Sequence, residues 1–200
     1  MGQMLTVHSH GLEIFPALDA HTANFMENIR TGEYFPPFPT AAGSTVTPGT
    51  NALYAMPFIV ARDMTIDRLA IDITTASDSQ TARLGIYNNG TNCYPGTLLL
   101  DGGTVSLTST GTVAVTISQA LSKGLYWVAY GADSNPTLNG FLLAYPIIGY
   151  VSNDFANTSP NSHWRKTSWT FAAFPDPYPS GGVGNNSYAP AVFPRLLTLD

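Results

Sequence analysis

The stretch Ile66-Asp67-Arg68-Leu69-Ala70-Ile71-Asp72-Ile73 decides the fold. Leu69, Ile71 and Ile73 alternate with Arg68, Ala70 and Asp72, the period of two that sends successive side chains to opposite faces of a strand. Ile66 is out of phase with them, so a β-bulge is expected beside Arg68. The same alternation recurs downstream, at Ala82, Leu84 and Ile86 against Arg83 and Tyr87, and at Val113, Val115 and Ile117. Gly124-Leu125-Tyr126-Trp127-Val128-Ala129-Tyr130 reads as another strand, with Trp127 as a core residue. Upstream, Leu53 to Val60 is apolar almost throughout, as a strand buried on both faces would be. Pro57 within it marks an edge or a bulge.

Turn chemistry separates these runs. Asn88-Asn89-Gly90 is a turn, and Pro95-Gly96 fits the two central positions of a type II turn. Asp101-Gly102-Gly103 reads as a hairpin turn or a bulge. Roughly eight strands with spaced turns predict an all-β protein, an antiparallel β-sandwich of jelly-roll-like form.

The flanks differ from this centre. Residues 1 to 50 read as an extended N-terminal arm that packs on a neighbour or on the domain's edge. Its one short helix is expected over Asp19 to Arg30, capped by Asp19 and ended by Gly32. Ala41 to Thr50 reads as a small-residue linker. Residues 51 to 200 form the sandwich, with a long loop at 152–190 that carries Trp164, Trp169, Phe171, Phe174, Tyr178 and Tyr188. Loops of such length commonly carry function or an interface.

Composition narrows the function classes. Charged residues are 10% of the chain, against about 25% in an average soluble domain. Lys123 and Lys166 are the only lysines, and the formal net charge is −5. Nucleic-acid binding, which needs clustered Lys and Arg, is not expected. A surface poor in charge suits burial in a larger assembly. The apolar runs, such as Phe141 to Ile148, are too short to cross a bilayer, so no membrane insertion is expected. The N-terminus lacks a basic region followed by an apolar stretch, so a classical leader is not expected either. Cys93, the single cysteine, excludes an intrachain disulfide and reads as a small buried filler.

The strings resemble a known domain when taken in order. They run Leu53-Tyr54-Ala55-Met56-Pro57-Phe58, then Ile66 to Ala76, then Ala82 to Tyr87, then Tyr94-Pro95-Gly96-Thr97-Leu98-Leu99-Leu100-Asp101-Gly102-Gly103-Thr104-Val105. Gly124 to Ala129 and Pro194-Arg195-Leu196-Leu197 complete the set. Together they resemble a β-sandwich domain of structural proteins of tailed bacteriophages, found in tail-fibre, tail-tip and head-associated proteins. The resemblance covers about residues 51 to 199 and leaves the first 50 unmatched. It implies a virion component of tail or fibre type, a homo-oligomer with a trimer favoured, and contact with other virion proteins through the arm. It implies no catalytic residues and no cofactor. Capsid decoration or a head fibre is the alternative setting, and a carbohydrate-binding module the alternative class.

Two sets of residues are candidate sites. Trp164, Arg165, Trp169 and Tyr178 have the chemistry of a host-surface glycan site, with rings to stack on sugar faces and a guanidinium to bond hydroxyls. Packing of the same rings onto the sheet or onto a neighbouring subunit is the preferred reading, since aromatics anchor long loops and interfaces alike. His8 and His10 face one side of an extended strand, and three copies around an axis would surround a transition metal. No nucleophile elbow, zinc-protease helix or phosphate loop is present, so an enzyme is not expected. Asp154 and Asp176 are the one carboxylate pair in the loop that a polysaccharide-degrading activity could use.

Overall fold

In the computed structural model, Ile66 to Ile73 lies inside Met64–Thr75, the strand to which most of one sheet is attached. The structure describes residues 29–38, 41–77, 80–142, 162–185 and 188–199. Among these the strands are β1 (Ala41–Val46), β2 (Leu53–Val60), β3 (Met64–Thr75), β4 (Thr81–Asn89), β5 (Pro95–Ser106) and β6 (Gly111–Leu121). They continue as β7 (Gly124–Ala132), β8 (Thr137–Leu142), β9 (His163–Lys166), β10 (Val183–Asn185), β11 (Ala189–Pro190) and β12 (Phe193–Leu199). One 3-10 turn, Thr91–Cys93, is the only helical element among the described residues.

The strands make two antiparallel sheets, so the fold is an all-β antiparallel sandwich. The first sheet runs β1-β8-β3-β12, with β6 also on β3 and β11 also on β8. The second runs β10-β9-β2-β7-β4-β5. The chain changes sheet at most connections, which is why spatial neighbours are rarely neighbours in sequence.

Alternation explains the core. Met64, Ile66, Leu69, Ile71 and Ile73 of β3 are buried against Met56, Phe58, Leu84, Ile86, Val128 and Tyr130 of the second sheet in one cluster. The expected phase slip is present: the pairing of β3 with β6 shifts between Ile66 and Arg68, and the pairing with β12 shifts at the same place. Asp101-Gly102-Gly103 is a bulge inside β5, where Leu84 pairs with Gly103 but Gly85 pairs with Asp101. Gly103 takes φ +93 there, a conformation that suits glycine.

Strands β2 and β7 lack clean alternation because both of their faces are covered. Their inner residues meet the first sheet, while Leu53, Ala55, Trp127 and Ala129 lie in a second cluster with Trp169, Phe174 and Tyr178. Pro57 is tolerated because β9 pairs only with Leu53, Tyr54 and Ala55, leaving that side of β2 free of a ladder at Pro57. Just beyond it, the Ile59 N–H donates to the Pro37 carbonyl (2.8 Å).

Several expectations are corrected. Ala41 to Val46 is not linker but strand β1, paired with β8. Phe35 and Phe38 are buried in the main cluster, so the sandwich begins well before residue 51. Pro95-Gly96 opens β5 rather than forming a turn. The turn lies just before it, where Asn92 and Cys93 take φ of 56 and 51. Cys93 is exposed on that turn, not buried. The 152–190 segment contains β9, β10 and β11. The helix expected over Asp19 to Arg30 falls outside the described residues except for Ile29 and Arg30, which are in no helix.

Candidate functional site

Trp169, Phe174 and Tyr178 of the loop are packing residues, whereas Tyr188 is 40% exposed. Tyr178 is 3% exposed and Trp169 9%. The Tyr178 hydroxyl donates to the Leu53 carbonyl (2.9 Å), and its ring meets Tyr87 and Tyr94 edge to face at 5.3 and 5.6 Å. Burial pushes the Tyr178 hydroxyl pKa up, and Tyr87 shifts the same way for the same reason. Trp169 lies over Gly131 and Phe174 over Gly85, at positions where a Cβ would collide with the rings. Asp101 ties this layer down. Its carboxylate accepts two bonds from Arg83 (2.7 and 2.8 Å) and one each from the Gly103 and Phe174 N–H groups (both 3.1 Å). With their faces enclosed, Trp169 and Tyr178 cannot stack on a sugar, which corrects the expectation for these two.

Trp164 and Arg165 are half-buried on β9 and point to opposite sides of it. Trp164 packs on Tyr94 at 4.8 Å and donates from Nε1 to the Cys93 carbonyl (2.8 Å), fixing the 3-10 turn. Arg165 stands over the Tyr54 ring at 5.6 Å. The four residues therefore do not converge on one cleft. Asp176 is exposed and accepts the Leu98 N–H (2.9 Å). His8, His10 and Asp154 lie outside the described residues.

Sequence reasoning missed His163. It is fully buried at the start of β9, stacked on Tyr54 with ring centres 6.0 Å apart. Its Nδ1 lies 3.3 Å from the Ser162 hydroxyl, and its Nε2 is buried without a partner. Burial first, then the charge of Arg165, lowers its pKa from 6.5 to about 4. The ring is a neutral core element near pH 7.

A second omission is a pocket of about 280 Å³ on the outer face of the first sheet. It forms where the sheet forks. On the side of β3 away from β6, β12 pairs as far as Ala70 and β8 begins at Ile73. Asp72 stands between them. Its carboxylate accepts a bond from the Asn139 side-chain amide of β8 and another from the Thr112 hydroxyl of β6 (3.4 Å). Phe193 of β12 and Tyr34, which is 40% exposed, complete the lining. Tyr34 is held there by its bridge to Arg195 and by the adjacent bond from the Phe35 N–H to the Pro194 carbonyl (3.0 Å). Arg195 lies 5.9 Å from the Tyr34 ring and is itself bound by both oxygens of Asp67.

These features define an all-β sandwich with one sheet face sealed by its own loop and the other open at a small, mostly apolar pocket that holds the Asp72 carboxylate. No family model matches the chain, and neither does any curated protein. Among solved structures, one match is to the cysteine protease and lectin-like domains of Cwp84, a surface-layer-associated protein of Clostridium difficile. The two are 14% identical with a TM-score of 0.37, over 72% of this chain and 32% of that one. This chain thus spans about a third of the length of the solved chain.

Proposed function

We propose that the protein is a non-catalytic structural component of a tailed-bacteriophage virion, of tail or fibre type, that contributes to attachment at the host surface. The observation that carries the reading is where the resembling strings fall. All lie on β2, β3, β4, β5, β7 and β12 or their immediate ends, so the likeness concerns a rigid two-sheet scaffold. The engagement of the acidic groups supports a non-catalytic role. Asp67 and Asp101 bind arginines, and Asp63 and Asp176 each accept a backbone N–H from a neighbouring segment. Asp133 likewise accepts the Thr81 N–H. Attachment through a glycan is favoured by the pocket on the open sheet face.

Residues before Ile29 are the docking segment in this reading, because Phe35, Phe38 and β1 belong to the sandwich core. The test is incorporation. Chains lacking residues 1–28 are expected to fold but to be missing from purified particles by mass spectrometry, while the full chain is present. Truncated chains incorporated at full copy number would refute docking through this segment. A full chain recovered from no particle fraction would refute the virion setting. Sedimentation of the full chain is expected to give a trimer; a monomer would remove the oligomer from the reading.

A further inference from the structure

The pocket at the fork of the first sheet offers mostly acceptors to a ligand. An ionised carboxylate has about four lone-pair sites. Thr112 and Asn139 each occupy one on Asp72, leaving about two directed elsewhere. Thr112 commits its only hydroxyl proton to Asp72, so its oxygen can only accept from a ligand. Asn139 keeps its carbonyl oxygen and one N–H. No described cation pairs with Asp72: the two ion pairs among the described residues are Arg83–Asp101 and Arg195–Asp67. Arg195, which lies against the Tyr34 ring of the pocket wall, is committed to Asp67. Tyr34 and Phe193 supply apolar ring surface beside these acceptors, and the Phe193 ring is braced by Phe141 at 5.2 Å.

We propose that this pocket binds one ring of a neutral saccharide, with two neighbouring hydroxyls donating to Asp72 and an apolar face of the sugar against Tyr34 and Phe193. The chemistry selects against other ligands. An anionic sugar or a phosphate would meet an uncompensated carboxylate and, among the described lining residues, no cation. A purely apolar ligand would desolvate the acceptor sites of Asp72 that Thr112 and Asn139 leave open, and would bond none of them. The volume of about 280 Å³ sits just below the range usual for drug-sized ligands, which suits a single ring and not an oligosaccharide. The inference rests on the attachment part of the reading above. Its failure would leave particle incorporation untouched, so the two are judged separately.

The test is a titration of the full isotope-labelled chain, followed by backbone amide resonances. The probes are methyl hexopyranosides of gluco, galacto and manno configuration, with N-acetylneuraminate and butylammonium in parallel. At least one hexoside is expected to give saturable shifts at Asp72, Thr112 and Asn139, with a Kd on the order of 1 mM. N-acetylneuraminate is expected to give none there, and butylammonium, which can pair with Asp72 but cannot bond it through two hydroxyls, only weaker shifts than the hexoside. Asp72→Asn should weaken the hexoside at least about tenfold, or about 1.4 kcal/mol. Tyr34→Ala should weaken it several-fold, while distant resonances stay in place. If Asp72→Asn disturbs the fold, Tyr34→Ala, at a position 40% exposed, decides in its stead. Absence of saturable shifts with every hexoside overturns the proposal. So does undiminished binding by the deciding variant, or binding of butylammonium alone.

Discussion

Acidification from pH 7 to pH 4 should destabilise this protein through one residue, His163. Its imidazole is enclosed between Tyr54 and the start of β9, with Arg165 nearby, and its pKa is lowered from 6.5 to about 4. The unfolded chain takes up a proton below pH 6.5, whereas the folded chain does not until about pH 4. Stability from this group is therefore fully present above pH 6.5, falls as the pH drops through that window, and levels off below it. At about 1.4 kcal/mol for each pH unit between the two values, the loss is on the order of 3 kcal/mol. That is a large share of the roughly 5–15 kcal/mol that holds a domain folded. Urea denaturation at intervals between pH 7.5 and pH 4 measures it. His163→Gln, which cannot titrate, should be less stable at pH 7 but should lose most of the slope across the window. The lowered pKa of Asp67 takes effect as the pH falls toward and through 3.8, so its ion pair with Arg195 adds to the loss only at the acid end of the range, and the slope between pH 7 and about pH 5 reports His163. A native chain whose stability is flat from pH 7 to pH 4, or a His163→Gln chain with the same slope as the native one, would refute the reasoning.

Two further outcomes test how the loop seals the second sheet. Gly131→Ala places a methyl in the ring of Trp169 and should cost about 1–3 kcal/mol. Tryptophan emission should move to the red as the loop lifts, and unchanged emission with unchanged stability would show that the ring does not rest there. Asp101→Ala removes the partner of Arg83 and of the Phe174 N–H together, in a pair about one-fifth exposed. It should cost about 2–3 kcal/mol by denaturation, whereas a loss below about 0.5 kcal/mol would mark an ordinary surface position.

The strands that could be read from the chain are those whose two faces meet different surroundings. In β3 the apolar residues recur at every second position, and even the bulge beside Arg68 is visible as a slip of phase. In β1 nothing of the kind survives, because at Gly43 the strand needs closeness to its neighbour. A Cβ on Gly43 would lie 2.6 Å from the Gly140 carbonyl oxygen of β8. Small residues that permit two backbones to approach look, in a sequence, like a linker. The aromatic segment was ambiguous for a different reason. Trp169 and Tyr178 have the same composition whether they face a sugar or a sheet, and only Gly131 beneath Trp169 distinguishes the two.

The pocket shows the same limit at its sharpest. Asp67, between Ile66 and Arg68, and Asp72, between Ile71 and Ile73, are acidic residues of one strand, and neither flank tells which will be paired. Their fates diverge because of strands far along the chain. β12 brings Arg195 to Asp67, then ends opposite Ala70, while β8 brings Asn139 to Asp72 in the gap that follows. One carboxylate is thereby consumed in holding the sheet together, and the other keeps acceptor capacity on an open face. Function in such a sandwich follows from where pairing stops: the ladder neutralises Asp67 and leaves Asp72 for a ligand.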